Sequence, residues 1–273
     1  MTPADPVRFS ENLLTDNPAL YERAFPGTDN ARFVADLVAR FGSGPAHTLL
    51  DAGSGTGRDA ARLAELGMTV RGVDISEQMV AYATTRHPGV RFDVGDLRTL
   101  DTAHPVDVLT CLGSTLLHLH DTADILTALR RFARCLRPDG LLVLEMRNGA
   151  FLLTDRGRRE LLDHRALRRV DWEGVTYTSE TRLTLDAPAQ LLRRERRWSW
   201  LGNTEPVCQH TAWRLLFPQE LRFLLSCAGF SVVALFDEPG PLTEPAWPGD
   251  GVLGERLTGD RLHVVARRER DPR

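Results

Sequence analysis

The run Asp51–Ala52–Gly53–Ser54–Gly55–Thr56–Gly57 constrains this chain most. It follows the short apolar stretch Thr48–Leu49–Leu50 and leads into a helical pattern near residues 58–67. A buried strand that breaks on a glycine turn into a helix is the opening of a βα unit. Open α/β sheets bind ligands in the crevice beyond the carboxyl ends of such strands. Glycines let the backbone approach a ligand and adopt positive φ. The helix N-terminus adds unpaired N–H groups suited to a carboxylate.

The following hundred residues keep the same rhythm. Apolar strands are expected near 48–52, 69–74, 90–94, 106–112 and 141–146, with helices near 58–67, 77–86 and 122–136. Gly67 and the turn Pro138–Asp139–Gly140 punctuate them. Upstream, Asn30 can cap a helix over Ala31–Arg40, and residues 1–30 read as a loosely ordered arm. Downstream, Pro218 opens a helix over Gln219–Ala228 that Gly229 closes, and strands are expected over Ser231–Phe236 and Leu262–Ala266. The fold expected is therefore α/β: a doubly wound, seven-stranded, mostly parallel sheet, Rossmann-like.

The rhythm changes after Met146. Residues 155–169 read as an Arg-rich amphipathic helix, and three segments of β character follow at 175–185, 191–201 and 207–217. They predict an inserted antiparallel β cap with one exposed face. The organisation expected is an arm and ligand-binding core over 1–150, a substrate cap over 151–217, and a C-terminal helix with the last two core strands over 218–273. The arginine runs at 156–159, 165–169 and 193–197 are interleaved with acids and read as a solvated face.

Three carboxylates sharpen the ligand. Asp51 stands before the glycine loop, placed for an ammonium. Asp74 closes the second strand, where a carboxylate can take both hydroxyls of a ribose, and Asp96 follows the third, where an acid can accept from an adenine amino group. The set describes an aminoacyl nucleoside and offers nothing for a pyrophosphate. A nicotinamide enzyme predicts a G-x-G-x-x-G loop; here the glycines alternate, with Arg58–Asp59–Ala60 after them.

With these residues the chain resembles the class I methyltransferases that use S-adenosylmethionine (SAM). The resemblance implies that Gly53, Gly55 and Gly57 line the methionine part of SAM and that Asp74 holds the ribose. It implies that Ile75 and Met79 flank the adenine, that Asp96 and Leu97 read its edge, and that Cys111, Leu112 and Gly113 meet the SAM amine. Within the family the chain looks like the small-molecule N-methyltransferases, namely the glycine/sarcosine enzymes and the amino-sugar N,N-dimethyltransferases of secondary metabolism. Tyr21 resembles their N-terminal tyrosine that closes over SAM, and Leu216–Phe217–Pro218–Gln219–Glu220–Leu221 resembles their cap-to-helix segment. The absence of an Asn-Pro-Pro-Tyr-type motif argues against an adenine- or glutamine-modifying enzyme.

On the acceptor side, His118 lies just beyond the fourth strand as a candidate base or acceptor-orienting group. Arg147, Asn148, Trp200, His210 and Arg214 are candidate substrate-binding residues. The acceptor expected is an amine. An O-methyltransferase on the same scaffold, an NAD(P)-dependent oxidoreductase and a non-catalytic SAM-binding protein stand as alternatives.

Composition fits a globular chain, 42% hydrophobic and 26% charged, with a net charge of −3 that argues against nucleic-acid binding. All 34 basic residues are arginine. No run is long enough to cross a bilayer, and Met1–Glu11 lacks the pattern of a signal peptide, so a cytoplasmic protein is expected. Cys111, Cys135, Cys208 and Cys227 form no C-x-x-C pair, and His118 and His120 lack an evident third ligand, so free thiols and no metal are expected.

Overall fold

The computed structural model describes residues 12–27, 29–163 and 165–270. Three N-terminal helices come first: α1 (Leu13–Asp16), α2 (Pro18–Ala24) and α3 (Asn30–Phe41). The core then alternates β1 (Thr48–Ala52), α4 (Arg58–Glu65), β2 (Thr69–Asp74), α5 (Glu77–Arg86), β3 (Arg91–Val94), β4 (Val106–Cys111), α6 (Thr122–Cys135) and β5 (Leu136–Arg147). After α7 (Asp155–Leu161) come four further strands, β6 (Arg165–Trp172), β7 (Val175–Asp186), β8 (Leu191–Ser199) and β9 (Val207–Arg214). The chain ends on α8 (Pro218–Cys227), β10 (Phe230–Phe236) and β11 (Arg261–Arg268).

Seven strands form one sheet in the order β10-β11-β5-β4-β1-β2-β3. β1 to β5 pair in parallel, and β11 runs antiparallel between β5 and β10. This is the expected doubly wound, mostly parallel sheet. β1 lies between β2 and β4, which explains why Leu49 and Leu50 read as an unbroken apolar run: both of their faces are covered. On one face α6 buries Ile125, Ala128, Leu129, Phe132 and Cys135, a helical stripe. On the other, α3 buries Phe33, Val34, Leu37 and Val38. Truncating one such leucine to alanine costs about 2–5 kcal/mol. The strand order reverses between β1 and β4, so their carboxyl ends open a crevice there.

The remaining four strands make a separate antiparallel sheet in the order β6-β7-β8-β9. Four strands stand where three were expected, because residues 155–169 are not one helix. α7 stops at Leu161, and Arg165–Trp172 pairs along its length with β7. The joining turn is Glu173–Gly174, both at positive φ (49° and 78°), a two-residue hairpin connection whose twist suits the flanking strands.

Two expectations about the N-terminus also change. Asp29, not Asn30, caps α3 by accepting from the Arg32 amide, while Asn30 is the first helical residue and donates to Asp59 at 2.7 Å. Over its described residues the arm packs down: α1 and α2 bury Leu13, Leu14, Leu20 and Ala24 against Val170, Tyr177 and Trp198 of the second sheet. The first eleven residues of the arm lie outside the described part. No helix among the described residues is long and apolar enough to cross a membrane.

Candidate active site

A cleft of about 730 Å³ lies between the carboxyl edge of the large sheet and the inner face of the small one. The glycine loop forms its floor. Gly53, Gly55 and Gly57 all have positive φ (85°, 53° and 79°). A Cβ on Gly53 would fall 2.2 Å from the Thr115 methyl, whereas one on Gly55 would meet nothing within 4 Å. Gly53 is thus fixed by close packing, and Gly55 presents bare backbone to the cleft. Gly57 lies deeper, where it precedes α4.

Two carboxylates organise this floor. Asp74 accepts from the Gly55 amide and the Ser76 amide, each at 2.9 Å, and ties the loop to the end of β2. Burial raises its pKa against these hydrogen bonds. Asp51 lines the cleft, is 4% exposed and accepts from Thr110 Oγ1 at 2.7 Å. Its burial, with Asp59 and Asp74 nearby, pushes its pKa up to about 7. A buried acid of this kind is stabilised by an arriving cation.

Beyond β4, Leu112, Gly113 and Ser114 line the cleft, with Gly113 and Ser114 both left-handed at φ 64° and 66°. Glu145 on β5 holds this turn. Its Oε2 accepts from the Gly113 amide at 2.8 Å and its carbonyl from the Ser114 amide at 3.0 Å. Arg261 on β11 donates to the other oxygen of Glu145 in a buried ion pair. Cys111 points instead into the core, where burial raises its thiol pKa.

Tyr21 on α2 lines the cleft, and burial raises its pKa. Beside it, Phe25 joins the floor to the roof: its carbonyl accepts from Arg58, and the Ala24 carbonyl accepts from Arg168 of β6. The roof is set by strand parity. Ser179, Thr181 and Leu183 of β7 and Arg194 and Arg196 of β8 face the cleft together with Trp213 of β9. Arg147 stands over the Trp213 ring at 5.1 Å and pairs with Asp260 at 2.9 Å, and Arg194 stands over the same ring at 4.5 Å.

Several residues singled out in the sequence do not line the cleft. His210 pairs with Glu195 across β8 and β9, on the side of that sheet away from Trp213, and lines a second hollow with His120, Arg193 and Arg194. Trp200 packs 5.4 Å from Tyr177. Asn148 is buried, accepting from the Ala150 amide and donating to the Leu257 and Gly259 carbonyls. Arg214 is buried against Glu220 at 2.7 Å. Met79 is buried on α5, while Ile75 is exposed after β2. Asp96 is engaged by Arg98 at 2.6 Å, which holds its pKa low, and Leu97 packs on the main core.

His118 is exposed and its ring lies 6.2 Å from that of Trp213, but it does not line the cleft. Crowding by the surrounding protein, then Arg194 and His120, hold its imidazole down at about 4. Conversely, Arg58, Asp59, Arg168, Arg194, Arg196 and Arg261 line the cleft without having been singled out. For Arg194 and Arg196 the signal was present: they alternate with Leu192 and Trp198, both buried, and so share the inward face. No group of three or more His, Cys, Asp or Glu suited to a metal occurs among the described residues.

Residues 49–140, which carry the loop, both floor carboxylates and the turn after β4, match the family described as a methyltransferase domain. That segment is a match to a methyltransferase domain. The chain is 38% identical over 121 residues to the dTDP-3-amino-3,6-dideoxy-alpha-D-glucopyranose N,N-dimethyltransferase of Streptomyces fradiae, covering 44% of this chain and 48% of that one. It is 33% identical over 141 residues to rat (Rattus norvegicus) glycine N-methyltransferase, covering 45% and 48%. The chain thus spans about half the length of the curated relatives it matches. Among solved structures, the SAM-bound amino pentose methyltransferase of Micromonospora echinaspora is 25% identical, with a TM-score of 0.70 over 97% of this chain and 99% of that one. A methyltransferase from Streptomyces caelestis shares the fold at 22% identity, with a TM-score of 0.72 over 96% and 100% of the two chains.

Proposed function

We propose that this chain transfers the methyl group of SAM to the nitrogen of a small-molecule amine, such as an amino sugar or amino acid. The observation that carries the reading is the floor of the cleft: bare backbone at Gly55, with the buried carboxylate of Asp51 on one side and the half-buried Asp74, which accepts from the Gly55 amide, on the other. These residues fit the aminoacyl nucleoside. Asp51 would face its ammonium, the α4 N-terminus and Arg58 its carboxylate, and Asp74 its ribose. When bound, SAM supplies a methyl already activated by a sulfonium.

What remains for the protein is alignment and exclusion of water. Gly113 and Ser114, pinned by Glu145, shape the wall beside the reacting centre. Tyr21 and the inner face of the small sheet close the cleft from above. Holding an acceptor lone pair in line in this way can be worth about 7–11 kcal/mol. An amine that binds neutral needs no base in the transition state, whereas a hydroxyl wants one within hydrogen-bond reach. No histidine lines the cleft among the described residues, which favours nitrogen over oxygen as the acceptor atom.

Incubation with methyl-labelled SAM and paired amines and alcohols tests the reading. Label on amines with release of S-adenosylhomocysteine is the expected result. Label on alcohols alone would move the assignment to O-methylation, and absence of S-adenosylhomocysteine binding by calorimetry would remove it altogether.

A further inference from the structure

The roof of the cleft carries more positive charge than the protein neutralises. Most arginines near the cleft have acidic partners: Arg58 with Glu22, Arg147 with Asp260, Arg261 with Glu145. The cap arginines differ. Among the described residues Arg194 donates to the Thr211 hydroxyl at 2.8 Å, Arg196 to the Thr181 hydroxyl at 3.0 Å, and Arg168 to the Ala24 carbonyl, and none of the three forms an ion pair. Arg196 is 6% exposed, and its Nη1 has no hydrogen-bond partner among the described residues. Aromatic faces do the packing instead: Arg194 lies over Trp213, and Arg168 and Arg196 both lie over Phe25, at 4.7 and 5.3 Å.

A buried guanidinium without a counter-charge is costly, and proteins seldom keep one without a use. Burial, with the charges of Arg196 and Arg147 nearby, lowers the pKa of Arg194 to about 9, and burial with the charge of Arg168 nearby lowers that of Arg196 to about 10. An oxyanion placed among these guanidiniums would relieve the burial and the repulsion, and planar guanidinium forks match the oxygens of carboxylates and phosphates. The carboxylate of SAM is not the candidate, because the floor, across the cleft, already offers Arg58 and the α4 N-terminus.

We infer that Arg194 and Arg196, with Arg168 beside them, form an oxyanion-recognition subsite in the cap, so that the acceptor amine carries a carboxylate or phosphoryl group held against the roof. The inference rests on the transfer reading given above. Arg194, half-buried over Trp213, meets the anion directly; Arg196 stands behind it and completes the charge.

The test uses the full chain saturated with S-adenosylhomocysteine, so that the floor is filled. Inorganic pyrophosphate and acetate are titrated by calorimetry into this complex and into its Arg194→Gln, Arg194→Lys and Arg196→Gln variants. Binding of either anion is expected, with pyrophosphate preferred for a phosphoryl-bearing acceptor and acetate for a carboxylate. Arg194→Gln should weaken it about tenfold or more, and Arg194→Lys should recover part of the loss. Thermal melts identify any variant that fails to fold, and Arg194→Gln, being partly exposed, keeps the test valid if Arg196→Gln unfolds. Normal S-adenosylhomocysteine binding with no bound anion, or with anion binding indifferent to Arg194, overturns the subsite and leaves methyl transfer standing. Failure to bind S-adenosylhomocysteine overturns both.

Discussion

The Gly55 amide donates to the Asp74 carboxylate at 2.9 Å, so the loop after β1 and the end of β2 are one rigid unit. Asp74 therefore buttresses the loop, and in the proposed reading it also accepts from a ribose. Asp74→Asn keeps the shape but gives up the charge. It is expected to weaken S-adenosylhomocysteine binding roughly ten- to hundredfold, the range for one charged hydrogen bond, as read by titration calorimetry. A variant that binds like the wild type would remove Asp74 from the ligand.

Asp51 ties binding to pH. Its pKa, raised by burial to about 7 without ligand, should fall when an ammonium arrives. SAM binding near pH 6.5 should then release protons and tighten as pH rises from about 5 to 8. For folding the sign is opposite: a carboxyl raised in the folded state contributes stability below its unfolded value near 4, and this is lost as pH rises through about 7. Asp51→Asn should abolish the proton release, measured in buffers of different ionisation heat, and raise the melting temperature of the ligand-free protein at pH 8.

Gly53 leaves no room for a side chain. Gly53→Ala places a methyl 2.2 Å from the Thr115 methyl at a φ of 85°. A loss of about 1–3 kcal/mol is expected, from overpacking and left-handed strain. Adding Thr115→Ala should recover the packing part and leave the backbone part, which denaturant melts of the single and double variants would separate.

His118 stands outside the cleft, and its imidazole is neutral throughout the physiological range. His118→Ala should cost less than about tenfold in kcat with an amine, well short of the roughly 10²–10⁴ of a lost general base. The wild-type rate profile should show no inflection near 6.5 that disappears in the variant. Such an inflection would restore His118 as a base.

The N-terminal helices hold the small sheet in place. Leu20 is fully buried against it, and Leu20→Ala should cost about 2–5 kcal/mol in global or local unfolding. Hydrogen exchange should show the loss concentrated in β6, β7 and β8. Uniform loss across the large sheet would mean that the two sheets unfold together.

Much of this was legible in the residues. β1, β4 and β5 are apolar because both faces are covered, and that pattern survives any detail of packing. The loop and the floor carboxylates were legible because each follows a strand end. The roof was harder, for local reasons. Arg165–Arg169 suits a helix or a strand equally, and only the Glu173–Gly174 turn signalled the hairpin. α1 and α2 are too short to form alone and depend on tertiary packing. Trp200 and His210 were chosen by residue type, yet which face a strand residue takes depends on parity, and parity needs register.

That parity has a consequence for how the protein can change. β8 presents Arg194, Arg196 and Trp198 on one side and Arg193, Glu195 and Arg197 on the other. Inserting a single codon in the turn between β7 and β8 would swap the two sets, turning an acid inward and casting Trp198 out from beneath the N-terminal helices. Drift in chain length there is blocked by structure itself, so new acceptors must be reached by exchanging side chains in place.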